Sequence, residues 1–451
     1  MENQLNAGAA SANLTPWLGI ALCGGFAQRQ AQDVHDEIHA KALVLDNGDI
    51  RIGIVVCDFV CMPRRIADAV KERVAQTCGI PPSHLLVCAT HTHSGPAVRT
   101  ALGVREDSMY VEQAPAKIAD AVQLAVKRLQ PASIGWAGAR EDRISFNRRW
   151  WMRDGTVHMN PASENPEPVR PSGPTDPALS FLYLEDATGT PLAVLASFAL
   201  HYVGTDSPTA LSADYYGHFT TEVQRLLGSQ CLPILINGTS GDINNNDYSG
   251  KRSWHETGHA QAKRMASVLA GHVLSESQLL DLHDTCPLSA VLETVTYTRK
   301  TILAEDVSVA QQILRNPAAF SYDSGPFSWV VGQPVHRQFL HVYAQACIDL
   351  AALPLELDTR VQSLRVGDAA LVALPGEVFA ETGLAIKAQS PYYPTLIAEL
   401  ANDYLGYICP QEALERQGGY ETWASPHSIA AAGTAERLAQ VAGQQLAGLR
   451  L

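Results

Sequence analysis

Residues 51–96 read RIGIVVCDFVCMPRRIADAVKERVAQTCGIPPSHLLVCATHTHSGP, and this stretch decides the class of fold. Residues 51–59 are rich in β-branched apolar side chains, which predicts a buried strand. From Pro63 onward apolar residues recur every three to four positions, which predicts a helix. Gly79 suits the end of that helix, and the two prolines that follow it forbid its continuation. Residues 83–90 then predict a second strand.

Two strands joined by a helix favour a parallel pair, and ligands of such sheets collect at the carboxyl ends of the strands. Asp58 and His91 both lie at the end of a predicted strand, so we expect both at that edge. The further predicted helices are 111–129, 217–227, 254–274 and 338–352. The further predicted strands are 133–137, 179–184, 192–200, 232–236, 361–366 and 369–374. The predicted fold class is therefore α/β, a mixed, largely parallel β-sheet core with flanking helices and a metal site at strand carboxyl ends.

The domain organisation follows from the even composition of the chain. No compositional break divides residues 1–451, so we expect a single catalytic domain. Residues 160–177 carry six prolines and little periodicity, and residues 301–334 are a second irregular stretch. Loops of this length often cover a site, so both are predicted to be lid insertions.

Composition excludes several classes of function. The 451 residues carry a formal net charge of -13 without a basic cluster, so nucleic acid is not an expected partner. No stretch approaches the ~20 apolar residues of a membrane helix, and the N-terminus lacks a signal core. Nine cysteines without a C-x-x-C pair indicate reduced thiols. We expect a cytoplasmic protein, and the acidic surface is compatible with a homo-oligomer.

The run Thr90-His91-Thr92-His93-Ser94-Gly95-Pro96 carries the first candidate site residues. A hydrolytic zinc site has about three protein ligands and an open position for water. Because side chains alternate along an extended chain, His91 and His93 are expected to point to opposite sides. One would then bind metal while the other faces substrate. The alternative is that both are ordinary polar residues of a loop.

Three further strand ends carry polar groups. His201 follows the apolar run 192–200, and Glu377 follows the strand-like run that ends at Pro375. The turn 238–246 is rich in glycine and asparagine and includes Asn244, whose amide suits polarisation of a carbonyl. Each of these groups has a structural alternative, because such side chains also stabilise turns and the N-termini of helices.

A competing zinc motif lies in His255-Glu256-Thr257-Gly258-His259, which matches the H-E-x-x-H pair of helical zinc proteases. Two features disfavour it. Ser253 and Glu256 form a predicted capping box, so the motif falls in the first turn of a helix. Gly258 is also a poor residue for a rigid metal-binding helix.

Taken together, these segments resemble the neutral/alkaline (non-lysosomal) ceramidase family over about residues 10–435. The matching pieces are Val34-His35-Asp36, Ala42-Leu43-Val44-Leu45, Asp58, Thr90 to Pro96, Asn147-Arg148-Arg149, His201, Ser212-Ala213-Asp214-Tyr215, Gly238 to Asn244, Pro375-Gly376-Glu377, Tyr404-Leu405-Gly406-Tyr407 and Gly418-Gly419-Tyr420-Glu421. The resemblance implies a hydrolase of amide bonds that binds one zinc ion. The metal ligands that it implies are His91, His201, Glu377 and Tyr407.

The resemblance also implies that His93, Arg148 and Tyr420 surround the amide of the substrate. Zinc lowers the pKa of bound water towards about 7, which yields hydroxide to attack the carbonyl carbon. His93 and Tyr420 would stabilise the oxyanion or pass the proton to the leaving amine. Asp58 and Asp242 are candidates for carboxylates that orient the histidine ligands.

Two departures from the family's pattern change the expected substrate. Asn244 occupies the position of a serine that is essential in the ceramidases, so only direct attack by water remains. We also expect the protein to lack the C-terminal immunoglobulin-like domain of the ceramidases, as in a catalytic-domain-only bacterial relative. We therefore expect a small soluble amide rather than ceramide. The alternatives are an ester, a lactone or a sugar-derived substrate, on which Trp150 and Trp151 would stack, or a non-catalytic metal- or ligand-binding protein.

Overall fold

The computed structural model describes residues 4–101, 103–161, 167–250, 256–317 and 327–449. The strands are β1 (Asn6–Asn13), β2 (Ala21–Leu22), β3 (Arg29–Gln30), β4 (Asp33–Val34), β5 (His39–Asp46), β6 (Arg51–Cys57), β7 (Leu85–Ala89), β8 (Gln130–Arg140), β9 (Phe146–Asn147), β10 (Arg149–Met152), β11 (Val157–Met159), β12 (Pro168–Pro171), β13 (Ala178–Asp186), β14 (Pro191–Phe198), β15 (Ala210–Leu211), β16 (Leu232–Asn237), β17 (Ile243–Asn244), β18 (Leu288–Thr298), β19 (Glu356–Val366), β20 (Ala369–Ala373), β21 (Glu377–Val378), β22 (Thr395–Ala398) and β23 (Tyr407–Ile408). The helices are α1 (Arg64–Cys78), α2 (Ser108–Lys127), α3 (Asp214–Leu227), α4 (Gly258–Ser277), α5 (Ala304–Arg315), α6 (Leu340–Ala351), α7 (Ala380–Gln389) and α8 (Thr434–Gly448).

The predicted strand–helix–strand unit forms β6, α1 and β7. The two strands pair in parallel, from Gly53 opposite Leu85 to Cys57 opposite Ala89. Gly79 ends α1 in the left-handed conformation, and its N–H donates to the carbonyl of Ala75. This residue lacks a Cβ, so the conformation carries no steric cost there. The parallel pair is therefore confirmed together with the helix that crosses between its strands.

An eight-stranded sheet in the order β16-β14-β13-β8-β1-β5-β6-β7 forms the centre of the molecule. The mixed α/β class is confirmed, but the expectation of a largely parallel sheet is wrong. Only β6–β7 and β14–β16 pair in parallel, and the other five neighbours are antiparallel. Short turns explain the difference: Asn47-Gly48 joins β5 to β6 as a hairpin, and hairpins require antiparallel strands.

A four-stranded sheet, β18-β19-β20-β22, packs against one face of the large sheet. Leu43 and Leu45 of β5 share a core cluster with Leu364 and Leu371 of the small sheet. The alternate residues of β5 face away and pack with α1 and α2, while α3 and α4 cover the far half of the same face. On the small sheet, α7 and α8 cover the outer face. The order of layers is therefore helix, sheet, sheet, helix, and strands buried on both faces read as continuous apolar runs.

The element boundaries differ from the predicted ones at two places. Helix α4 begins at Gly258 with Thr257 as its N-cap, which makes no side-chain cap hydrogen bond. Glu256 therefore precedes the helix, and the predicted capping box is wrong for this residue; Ser253 lies outside the described residues. Residues 301–334 include α5, so that stretch is not irregular throughout.

Two statements based on composition can be compared with the structure. No helix within the described ranges is long and apolar enough to cross a membrane. All nine cysteines lie in described parts of the chain and are free thiols.

Candidate metal centre and active site

A cavity of about 250 Å³ lies where β7 and β14 end and where β21 and β23 begin. Its wall contains all eight residues that the sequence singled out for the site, namely His91, His93, Arg148, His201, Asn244, Glu377, Tyr407 and Tyr420. They come from positions up to 329 residues apart in the chain, from residue 91 to residue 420. The structure thus brings together the predicted residues, while their individual roles stay predictions.

His91 is held in a left-handed backbone conformation with φ of 79°, which is uncommon for a residue with a Cβ. Its N–H donates to the carbonyl of Phe59, and its ring Nδ1 lies 2.6 Å from the carbonyl of Val60. That contact places the ring proton on Nδ1, so Nε2 faces the cavity with a free lone pair. Strained backbone of this kind often accompanies a functional residue.

The Nε2 atoms of three histidines form a nearly equilateral triangle. His91 lies 3.2 Å from His93 and 3.1 Å from His201, and the remaining side is 3.1 Å. Two nitrogens bound tetrahedrally to zinc at about 2.0–2.1 Å stand roughly 3.3 Å apart, so the triangle fits a shared ion. The expectation that His91 and His93 point to opposite sides is wrong, because the left-handed turn at His91 breaks the alternation of an extended chain.

The three rings are neutral at physiological pH. Burial lowers the pKa of His91 to about 4 and that of His93 to about 3. Burial, together with His91 and Arg148, lowers the pKa of His201 well below its ordinary value. Neutral imidazole is the form that binds metal, so burial favours the charge state that a metal-binding cluster requires.

Glu377 supplies a carboxylate beside the triangle. Tyr404 donates to its Oε1 at 2.6 Å, and its Oε2 lies 3.5 Å from Nε2 of His91. That Oε2 is buried and has no hydrogen-bond partner among the described residues. Burial raises the pKa of Glu377. A buried acceptor without a partner is costly, and a divalent cation at the histidine triangle would satisfy it.

Arg148 connects the remaining groups of the site. Its Nη2 donates to the hydroxyl of Tyr407 at 3.0 Å, its Nη1 lies 2.9 Å from Nδ1 of His201, and its Nε donates to Glu421 at 2.9 Å. Burial acts to lower its pKa, but Tyr407 and Glu421 outweigh burial and the pKa lies well above the ordinary value. Arg148 is therefore a permanent buried cation at the edge of the cavity.

Glu421 accepts from two buried guanidinium groups, those of Arg148 and Arg149. Burial acts to raise the pKa of Glu421, but the two arginines outweigh it and the pKa lies below the ordinary value. The Gly418-Gly419-Tyr420-Glu421 motif revealed that this stretch matters. The role of Glu421 as a shared anion was missed, because Arg148 lies 273 residues away.

The loop that carries the histidines is held by Asp214. Its carboxylate accepts from the hydroxyl of Thr92 at 2.7 Å, the N–H of His93 at 2.9 Å and the hydroxyl of Ser94 at 3.2 Å. Burial raises the pKa of Asp214 to about 6, although these hydrogen bonds oppose the rise. This positioning residue was missed, since the Ser212-Ala213-Asp214-Tyr215 motif had no role attached to it.

The two carboxylates expected to orient histidine ligands do something else. Asp58 accepts from the N–H of His39 at 2.8 Å. Asp242 accepts from the N–H of Ala380 at 2.8 Å and from the amide of Asn147 at 2.7 Å. That expectation is wrong: His91 is oriented by a backbone carbonyl, and the aspartates hold backbone instead.

The cavity wall includes His427, which no motif had indicated. Tyr404 links it to the site, because the Tyr404 hydroxyl lies 3.1 Å from Nδ1 of His427 and donates to Glu377. A lone histidine in a loop gives no sequence signal for such a position. Asn244, in contrast, was predicted; its amide donates to Asn160 at 3.0 Å at the cavity rim.

The competing zinc motif does not form a helical pair. Glu256 and Thr257 precede α4, so only Gly258 and His259 of the motif belong to the helix. The Glu256 carboxylate accepts two hydrogen bonds from Arg264, at 2.6 and 2.7 Å. A zinc protease would use this carboxylate as its general base, and here it is already paired. His255 lies outside the described residues.

These features define a buried cluster of neutral imidazoles and a carboxylate in a cleft between two sheets. Two solved structures have the same fold. One is neutral ceramidase from Pseudomonas aeruginosa, with a TM-score of 0.72, 16% identity, and coverage of 100% of this chain and 75% of that chain. The other is a ceramidase complexed with C2, with a TM-score of 0.70, 17% identity, and coverage of 99% and 75%.

The chain therefore has the neutral ceramidase fold, which confirms at the level of the fold the resemblance carried by its motifs. No protein-family model matches the sequence, and no curated protein sequence matches it. The two likenesses cover the whole chain at low identity, which shows a shared architecture.

Proposed function

We propose that this protein is a zinc-dependent hydrolase that cleaves the amide (N-acyl) bond of a small substrate. The observation that carries the proposal is the triangle of neutral Nε2 atoms beside the unpartnered Glu377 Oε2, in a cavity of a ceramidase-like fold. The proposed ligands are His91, His201, Glu377 and Tyr407. The position of His93 equally fits a three-histidine set, which the metal analysis below distinguishes.

The donor set fits zinc, because imidazole nitrogen and carboxylate oxygen are common zinc ligands. When bound, zinc supplies Lewis acidity and lowers the pKa of water to about 7. A tyrosine ligand must lose its proton. Burial raises the pKa of Tyr407, and a bound dication acts in the opposite direction.

The residues of the chain have separate tasks in this proposal. Burial raises the pKa of Tyr420, so its hydroxyl keeps its proton and donates to the carbonyl oxygen as negative charge develops there. His93 is neutral and lies next to the ligands, so it accepts a proton from water and passes it to the leaving amine. Arg148 stays charged and orients a polar group of the substrate, and the Asn244 amide lies at the rim.

The cavity favours a small substrate. Its volume of about 250 Å³ is below the ~300–1,000 Å³ of common ligand pockets. Phe26, Val60 and Met159 supply apolar wall opposite the polar groups. A short acyl group fits this wall better than a long lipid chain. The open cavity also disfavours a non-catalytic metal-binding protein, whose site would be closed by protein.

A sugar-derived substrate receives less support. Trp150 is buried and its indole N–H donates to the carbonyl of Asn147 at 3.0 Å. Trp151 lies under the guanidinium of Arg170, 5.4 Å from the ring centroid. Neither indole belongs to the described cavity wall, so stacking on a sugar ring there is disfavoured.

The substrate experiment compares N-acyl amides of increasing acyl length with matched esters, lactones and glycosides, using protein reloaded with zinc. We expect turnover of short-chain amides and loss of both metal and turnover in Glu377→Gln. His341→Ala, which changes an exposed histidine on α6, is the matched control. Turnover of glycosides or esters without any amide cleavage would contradict the proposed bond class.

The ligand experiment measures zinc content in single variants. His91→Ala and His201→Ala should lose the metal, whereas His93→Ala should keep it and lose most turnover. Loss of metal in His93→Ala would instead establish the three-histidine set. Asn244→Ala should weaken turnover without abolishing it, because an amide positions substrate but does not attack it.

A further inference from the structure

A second histidine cluster lies outside the catalytic cavity. His35 and Asp36 follow β4, His218 is on α3, and His259 is in the first turn of α4. Nε2 of His218 lies 3.3 Å from Nδ1 of His259, and Nδ1 of His35 lies 2.8 Å from Oδ1 of Asp36. Ligand atoms of His35, Asp36 and His259 all lie within 4.8 Å of one another. None of these residues belongs to the described wall of the catalytic cavity.

We propose that His218, His259 and Asp36, with His35 as an adjustable fourth ligand, form a second binding site for a divalent transition-metal ion. The separation of 3.3 Å between the His218 and His259 nitrogens matches the roughly 3.3 Å between two nitrogens bound tetrahedrally to zinc at about 2.0–2.1 Å. The site does not depend on the proposed catalytic function.

The hydrogen bonding of His259 also points to a ligand. Its Nδ1 faces a nitrogen of another imidazole ring, where a single shared proton or a cation can satisfy both lone pairs. The fold therefore holds the His259 ring in place, and a bound cation would satisfy the lone pair of its Nδ1.

The charge state of the cluster suits metal binding. Burial, followed by the neighbouring histidines, lowers the pKa of His218 and of His259. Asp36 supplies a negative charge that acts on both rings. Its carboxylate is fixed, because it accepts from the hydroxyl of Ser212 and from the N–H of Ala213 at 2.9 Å.

The geometry of His35 makes it the adjustable member. Its ring stacks on that of His259 with centroids 3.4 Å apart and planes 1° apart. Lone pairs lie in the plane of an imidazole, so two parallel rings do not aim at one ion. His35 is exposed, and a turn about its side-chain torsions brings a nitrogen to the ion held by the other three residues.

The ligand types define the class of ion. Imidazole nitrogen suits zinc, nickel, cobalt and copper, whereas calcium and magnesium prefer a shell of oxygen atoms. A bound ion would tie the segment after β4 to α3 and α4. Asp36 contacts Ser212 and Ala213 just before α3, and the carbonyl of Ser212 lies 2.7 Å from the Thr92 hydroxyl. The second site therefore supports the loop that carries the catalytic histidines.

The test is metal stoichiometry of the full chain. Protein stripped with a chelator is titrated with Co²⁺ alone, and the absorption bands of bound cobalt are recorded. We expect two equivalents in the wild type. His259→Ala and His218→Ala should each keep one equivalent, and His91→Ala should keep the other. His341→Ala, an exposed histidine on α6, should keep both.

A single equivalent in the wild type that is lost in His91→Ala and kept in His259→Ala would overturn the proposal. Two full equivalents in both His259→Ala and His218→Ala would overturn it as well. Circular dichroism checks that the variants are folded. If a half-buried histidine proves essential for folding, the exposed His35→Ala decides: weaker binding of the second equivalent supports the site, and unchanged binding contradicts it.

Discussion

His427 illustrates how a single residue acquires a task from its neighbours. The Tyr404 hydroxyl has one proton, which it donates to Glu377, so its oxygen can only accept from His427 Nδ1–H. Burial lowers the pKa of His427 to about 3, so the ring is neutral and Nε2 carries a lone pair. That atom has no partner within the described structure, and the residue lines the cavity. We therefore expect this nitrogen to accept from an N–H or O–H group of the substrate.

We predict that His427→Ala raises KM by roughly 3- to 10-fold, which corresponds to the ~0.5–1.5 kcal/mol of a neutral hydrogen bond. Zinc content should stay unchanged, because His427 touches the ligand carboxylate only through Tyr404. Steady-state kinetics with a matched metal analysis tests this. A fall in kcat together with lost zinc would show that the residue supports the metal instead.

Glu421 is the residue whose loss should be most costly to the fold. Its carboxylate neutralises Arg148 and Arg149, all three side chains being buried. Removing one partner of a buried ion pair leaves an uncompensated charge and costs about 3–5 kcal/mol. We expect Glu421→Gln to lower the free energy of unfolding by that amount in a urea titration. Glu412→Gln, which breaks an exposed pair with Arg416, should cost less than ~1 kcal/mol.

At the scale of elements, the turn that contains Gly241 is packed directly against the backbone of β21. A Cβ at Gly241 would stand 2.5 Å from the carbonyl oxygen of Glu377. Gly241→Ala should therefore displace this ligand, cost about 1–3 kcal/mol of stability and weaken zinc binding. Thermal unfolding and zinc titration measure the two effects.

The control for that variant is Gly271→Ala on α4. No described atom lies within 4 Å of a Cβ placed there, and alanine favours a helix over glycine by up to about 1 kcal/mol. We expect a small gain in stability with unchanged zinc affinity. Equal zinc affinity in both variants would mean that the turn does not position Glu377.

Helix α1 contains a second element-scale feature, the buried Lys71. Burial lowers its pKa from 10.5 to about 7, and its Nζ has no hydrogen-bond partner in the described chain. Between these two values the unfolded chain binds the proton more strongly than the folded one. Stability should therefore rise with pH from about 7 to 10.5, by at most about 1.4 kcal/mol per unit.

We predict that Lys71→Met is more stable than the wild type near pH 6 and that the difference shrinks as pH rises to 9. Unfolding in urea at pH 6, 7, 8 and 9 measures it. Lys127→Met, at an exposed position on α2, should leave the slope unchanged. A difference independent of pH would mean that the folded protein keeps Lys71 charged.

At the scale of the molecule, the proposed ligands come from four separate segments that belong to both sheets or their connections. An ion bound there joins segments that lie far apart in the chain. Binding to the folded state alone stabilises it by about 4 kcal/mol when the free ion is at 1,000 times its Kd. We expect the stripped protein to melt at lower temperature and zinc to restore the melting temperature.

Calorimetry of stripped, zinc-loaded and magnesium-treated protein tests this prediction. Magnesium is the control, since it prefers oxygen ligands and should not restore stability. His91→Ala should melt like the stripped protein whether or not zinc is added. An equal melting temperature for stripped and loaded wild type would contradict tight binding at the histidine triangle.

Short stretches of the sequence determine many of the strands and helices of this protein. The run 51–96 determined a parallel strand pair with its helix, and apolar periodicity located most of the buried strands and helices. These features follow from short-range chemistry: side-chain alternation, helix periodicity and the special backbones of glycine and proline. The motifs also identified all eight residues of the cavity wall that carry the proposed chemistry.

Only the tertiary structure decided what depends on contacts between distant segments. A short turn accounts for the antiparallel pair β5–β6, but pairs such as β1–β8 and β8–β13 join distant strands in an order that local patterns do not encode. His91 and His93 converge because one residue adopts φ of 79°, which Asp214, 121 residues beyond His93, helps to hold. Glu421, Asp214 and His427 acquired their tasks from partners far along the chain. Long-range packing determines which donor meets which acceptor. The two partners lie far apart in the chain, so no short stretch of sequence contains both of them.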